Sequence, residues 1–88
     1  MQLIDTFILT ELADEYIAVP LNKSGEFRGV IKLNESGAEI FQGLTEGQDE
    51  EALARRLMKK YPEMDPAHAG AAVRQVTDDL KKAGVLKT

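Results

Sequence analysis

Apolar residues along this chain are spaced in two ways, and the spacing changes at Leu33. Up to that point they can be read with a period of two. Ile17, Val19 and Leu21 form one alternating set and Gly29, Ile31 and Leu33 another, the period of two that gives a strand one buried face. Three strands follow from the pattern: Phe7 to Leu12, Tyr16 to Val19 and Phe27 to Leu33. Asp14-Glu15 stands at the first reversal. Asn22 to Glu26 is a turn by composition, with Gly25 free to take a positive φ. Pro20 has no N–H to donate to a central ladder, so it belongs at the end of the second strand or at a bulge.

Beyond Leu33 the apolar positions recur every three to four residues. Asn34 is a good N-cap, and Ala38, Ile40, Phe41 and Leu44 put a stripe on one face of a helix that Gly47 can close. A second helix opens at Asp49, with Glu50 and Glu51 favourably placed at the positive end of its dipole. Its stripe is Leu53, Ala54, Leu57, Met58 and Tyr61, and Pro62 stops it. Asp65-Pro66 is a cap followed by a first-turn proline, and opens a third helix. That helix carries Ala69, Val73, Val76, Leu80 and Ala83 down one face and ends at Gly84, after which Val85-Leu86 can fold back on the core. Alanines 69, 72 and 83 allow close helix approach. The order βββααα is α+β: a small three-stranded antiparallel sheet followed by a three-helix cluster.

Composition narrows the class. Eighty-eight residues fit one domain, 1–88, with a modest core. There is no cysteine, which removes disulfides, thiolate metal sites and thiol nucleophiles. No run approaches the roughly 20 apolar residues of a membrane span. The first fifteen residues carry Asp5, Glu11, Asp14 and Glu15 and no basic segment, unlike a secretory signal, so a cytoplasmic location is expected. Fifteen acids against eleven bases give a net charge of −4, which argues against a nucleic-acid partner, since such partners are bound by neutralising phosphates.

Catalytic chemistry finds no foothold. His68 is the single histidine and has no triad partner in the sequence. Ser36-Gly37 lacks the Gly-x-Ser-x-Gly context of a nucleophile elbow, and no phosphate loop, dinucleotide fingerprint or metal-ligand spacing occurs. Glu50/Glu51 and Asp78/Asp79 are sequence neighbours that a helix points about 100° apart, so they read as surface charge. No cofactor, metal or catalytic residue is expected. Arg55, Arg56, Lys59 and Lys60 concentrate positive charge on the second helix, and Glu51 and Glu63, each four residues from a cation, should neutralise part of it. A solvated face is the plain reading of this cluster, and docking of an acidic partner the sharper one.

Two features stand out. In a simple meander the third strand is an edge with a row of unpaired backbone groups. Arg28 and Lys32 guard it, while Gly29, Val30 and Ile31 leave its middle open. From the residues alone it is equally an ordinary guarded edge or a surface open to another strand. On the third helix, Thr77, Gly70, Lys81 and Arg74 lie progressively further round one side of the apolar stripe, and His68, Asp79, Gln75 and Lys82 lie on the other. A strand edge beside a helix flank makes a groove that an extended peptide can enter as an added strand.

The run Ile31-Lys32-Leu33-Asn34-Glu35-Ser36-Gly37-Ala38-Glu39-Ile40-Phe41 resembles the "LNxxGxxI" strand-to-helix junction of PqqD-like proteins. Leu44 with Glu46-Gly47, the acidic start of the second helix, Leu53-Ala54, and the close Val76, Leu80, Ala83-Gly84-Val85-Leu86 are similar to that family too. The resemblance covers about Glu15 to Leu86. The segment before Tyr16 matches only loosely, and Glu46-Gly47 stands where PqqD proper tends to have Asp-Gly, which favours a PqqD-like domain over PqqD itself.

The resemblance implies a winged-helix-like βββααα fold and a non-catalytic peptide chaperone. In that family the leader of a ribosomally made precursor adds as a fourth strand and is presented to a modifying enzyme, often a radical S-adenosylmethionine maturase, as in pyrroloquinoline quinone biosynthesis. Carried over by position, Arg28, Gly29, Val30, Ile31 and Lys32 form the receiving edge. Arg74, Thr77 and Lys81 are chosen on the helix, because cations suit acidic leaders. The competing expectation is a winged-helix nucleic-acid-binding or regulatory module, and an edge-to-edge homodimer would occupy the same strand.

Overall fold

Leu12 faces Glu15 across a two-residue turn, and from there the first two long strands pair without interruption. The computed structural model describes residues 1–22 and 29–87. Within them the order is β1 (Gln2–Leu3), β2 (Phe7–Leu12), β3 (Glu15–Pro20), β4 (Ile31–Leu33), α1 (Glu35–Thr45), α2 (Glu50–Lys60), α3 (Pro66–Lys82) and β5 (Leu86–Lys87). Strands β2, β3 and β4 form an antiparallel sheet in that order, with Phe7 opposite Pro20 and Ala18 opposite both Leu9 and Ile31. The fold is therefore the expected α+β arrangement of three-stranded sheet and three helices. The reversal falls on Ala13-Asp14, and Ala13 takes a φ of 54°, a left-handed conformation usually left to glycine, asparagine or aspartate.

The sheet buries the opposite face of β3 from the one its alternation suggests. Ala18 and Pro20 are buried, while Ile17 and Val19 are half-exposed and Leu21 is exposed. The reason lies across the ladder. Phe7, paired with Pro20, meets Phe41 of α1 edge-on at 5.3 Å between ring centroids, so the face that carries Phe7, Ala18 and Pro20 is the one turned to the helices. Pro20 ends β3, as its missing N–H requires. The third strand is shorter than its pattern. Gly29 sits in a bend at φ 108°, Val30 is half-exposed outside the ladder, and only Ile31–Leu33 pair with β3. The expected turn at Lys23–Glu26, and Phe27 and Arg28, lie outside the described residues.

Each helix starts where its cap predicts. The side-chain oxygens of Asn34, Asp49 and Asp65 accept the backbone N–H of Gly37, Ala52 and His68 at 2.8, 2.9 and 2.8 Å. Two helices end in the same motif. Gly47 and Gly84, both at φ 79°, donate to Leu44 and Lys81, and the next residues, Gln48 and Val85, donate to Gly43 and Leu80. This is the Schellman closure, which satisfies carbonyls a helix end leaves open.

Ile40, Phe41, Leu53, Leu57, Val73 and Val85 are fully buried and form the centre of the core. Ala83 is exposed, because α3 ends at Lys82 and the Schellman turn sends Val85 and Leu86 inward in its place. Their return makes a small sheet absent from the sequence reading. β1 pairs antiparallel with β5, Leu3 opposite Leu86, and Ile4 donates to the Val85 carbonyl at 2.9 Å.

Candidate functional site

The site begins at a corner one residue long. Leu33 ends β4, Glu35 begins α1, and only Asn34 lies between them. Its side-chain oxygen binds the Gly37 N–H, so the cap draws the first helical turn back onto the strand. A Cβ on Gly37 would stand 3.0 Å from that oxygen and 3.4 Å from a Leu33 methyl, which makes glycine the residue that lets the corner close. From the other side, Tyr61 at the end of α2 donates to the Glu35 carboxylate at 2.7 Å. The orientation of β4 is thereby set by α1 and α2 as well as by its sheet partner.

β4 is an edge. It pairs with β3 on one side and, among the described residues, with no strand on the other. Ile31 and Leu33 turn inward against the core, and Lys32 between them is exposed on the outer face of the sheet. α1 packs against both β4 and α3.

The helix residues divide. Arg74 is exposed and Lys81 half-buried, two turns apart on one side of the stripe, with half-buried Gly70 on the same side. Thr77 corrects the expectation that it lines this flank: it is fully buried, and its hydroxyl donates to the Arg74 carbonyl one turn back, at 3.2 Å. With its polarity satisfied inside its own helix, a threonine costs little in the core. Of the expected edge, Ile31 and Lys32 lie in the strand, Gly29 and Val30 precede it, and Arg28 lies outside the described residues.

The basic cluster of α2 is more neutralised than its sequence suggests. Arg56 spans to α1 and the loop after it, with Nε 2.7 Å from Glu39, and Nη1 3.1 Å from both Glu46 and Gln48. Lys60 also reaches Glu39, at 3.4 Å, and Arg55 pairs with Glu51 at 2.7 Å. Burial works to raise the Glu39 carboxyl, but the hydrogen bonds and charges of Arg56 and Lys60 outweigh it and hold it below the usual carboxylate range. The expected Glu63–Lys59 pair does not form among the described residues, because α2 ends at Lys60 and the i,i+4 spacing no longer applies. Besides the shared core, α1 and α2 are joined by an ion-pair network whose charged partners lie 10 to 21 residues apart, too far for the sequence alone to reveal.

Two surface hollows of about 500 Å³ lie elsewhere, one under the N-terminal strand and the other beside Arg56 and Lys60. Neither is lined by β4 or α3. His68 is largely exposed, its ring 2.9 Å from the Asp65 carboxylate that caps α3. No group of three or more His, Cys, Asp or Glu among the described residues is placed to hold a metal ion. No helix among them is long and apolar enough to cross a membrane.

Comparison with known proteins adds the family. Residues 15–86 match the model of the family described as Coenzyme PQQ synthesis protein D (PqqD). A solved structure of TbiB1 in complex with the TbiA(beta) leader peptide has a similar fold, with a TM-score of 0.76 at 20% identity over 99% of this chain and 95% of that one. No curated protein sequence matches the chain.

Proposed function

Since this chain belongs to the PqqD family, we propose that it is a peptide-recognition domain, spanning 1–88, that captures the leader of a ribosomally made precursor by strand addition. One observation carries the reading: among the described residues β4 presents a free edge, tied by the Asn34 corner to α1, which also packs against α3. An extended peptide pairing with Ile31–Leu33 would make the sheet four-stranded, its backbone supplying affinity and its alternate side chains specificity. The solved complex of the similarly folded TbiB1 holds a leader peptide, which supports the same class of ligand here.

On this reading the receiving edge runs through Gly29, Val30, Ile31 and Lys32, and Arg74 and Lys81 of α3 supply side-chain contacts, with Thr77 buried beneath them. The domain catalyses nothing. It presents the bound precursor to a modifying enzyme, a radical S-adenosylmethionine maturase, in the cytoplasm. The exposed face of α3 offers Asp78 and Asp79 alongside Arg74 and Lys82, a poor surface for phosphates, so the nucleic-acid alternative gains no support.

Calorimetric titration with the leader segment of a precursor peptide encoded beside the gene is the test. Saturable one-to-one binding, unaffected by removing the core segment of the precursor, is expected. Lack of binding both alone and with the maturase present would reject the proposal. A concentration-dependent dimer that excludes the peptide would instead assign the edge to self-pairing.

A further inference from the structure

Lys32 is the only residue of β4 whose side chain points to the outer face of the sheet. Its register partner on β3 is Ile17, and Ile17 is in turn opposite Thr10 on β2. The row Thr10–Ile17–Lys32 thus ends at the open edge in a cation that, among the described residues, has no opposite charge paired with it. Among the described residues, Glu15 is the acid diagonal to Lys32 on that face, and no ion pair joins the two. Lys32 is exposed, and its inward neighbours Ile31 and Leu33 pack against the core.

From this alternation we infer that Lys32 selects an acidic residue at one outward-facing position of the captured peptide, flanked on both sides by apolar residues. The inference rests on the strand-addition reading. A strand added to β4 places one residue directly opposite Lys32, with Cβ atoms about 4.5–5.5 Å apart, on the outer face. Its two neighbours turn inward beside Ile31 and Leu33. The rule is independent of whether the peptide runs parallel or antiparallel, because side chains alternate either way. An acid in the outward position completes the row with the charge it lacks, whereas a base meets Lys32 as a like charge. A cross-strand pair of opposite charge is worth about a two- to fivefold gain in affinity over a neutral residue.

Selection from a phage-displayed library of random twelve-residue peptides tests this without knowledge of the natural ligand. The wild-type protein and the Lys32→Glu and Lys32→Gln variants are panned in parallel; Lys32 is exposed, so neither change disturbs the core. Wild type should enrich an apolar–acidic–apolar motif. Lys32→Glu should turn the central position basic while keeping its apolar flanks, and Lys32→Gln should erase the charge preference. Enriched motifs whose central charge ignores residue 32 would overturn the inference and leave the peptide-binding reading standing. Absence of any alternating motif with all three proteins would overturn both.

Discussion

Tyr61 Oη donates a 2.7 Å hydrogen bond to Glu35 Oε1, joining the residue that caps the end of α2 to the first residue of α1. Glu35 follows immediately on Asn34, the single residue of the corner that ends β4. A contact 26 residues long in sequence therefore braces the strand proposed to receive the peptide. Burial and the neighbouring Glu35 carboxylate raise the Tyr61 hydroxyl to about 12.

Tyr61→Phe should cost about 0.5–1 kcal/mol, the net worth of one partly exposed hydrogen bond, measured by urea denaturation. The bond needs a protonated phenol. Its folded-state value lies above the ordinary 10.0, so its contribution is whole below pH 10 and is lost as pH rises towards 12. The stability difference between wild type and Tyr61→Phe should narrow over that interval and hold steady at neutral pH.

Arg56→Met should destabilise by about 1–2 kcal/mol, because Glu39 is only 22% exposed and would keep its charge with Lys60 alone beside it. Arg56→Lys should recover only part of this, since an ammonium cannot serve Glu39, Glu46 and Gln48 from one planar group. The Glu39 carboxyl is held below its ordinary 4.5, so its share of the stability is present above that pH and lost as pH falls through the lower folded-state value. Acid unfolding of Arg56→Met should accordingly begin at higher pH than that of wild type.

Two glycines should respond oppositely to alanine. A Cβ on Gly43 would collide with the Leu53 and Gln48 side chains, so Gly43→Ala should lose about 1–3 kcal/mol in denaturant titration. At Gly70 a Cβ meets nothing within 4 Å and the backbone is helical, so Gly70→Ala should gain about 0.5–1 kcal/mol. If the peptide runs along the Arg74 side of α3, that added methyl should also weaken leader binding. A more stable, weaker-binding variant would assign the flank.

The helices were legible because their ends are written in single residues: Asn34, Asp49 and Asp65 as caps, Gly47 and Gly84 as closures. Strand identity was legible as well, but the buried face of β3 was not. Both faces of that strand carry apolar residues, and the choice goes with Phe7 on the paired strand, whose ring packs on Phe41 of α1. The β1–β5 pair is two residues long and has no periodicity to detect. Helical angle puts Thr77 on a flank of the α3 stripe, but its hydroxyl is satisfied by the Arg74 carbonyl, which lets it sit fully inside. For the site, the edge and the corner could be read from Leu33-Asn34 and Gly37. The bracing by Tyr61 and Arg56 depends on partners far off in sequence.

The account stands most directly on where the leader binds. Isotope-labelled protein titrated with the leader segment, followed by NMR shifts and amide exchange, resolves this residue by residue. The account predicts saturable shifts at Ile31, Lys32 and Leu33 with slowed exchange along the β4 edge, joined by shifts on one flank of α3 that includes Arg74 and Lys81. Saturable binding that leaves β4 unchanged and moves Arg55 to Lys60 instead would contradict it.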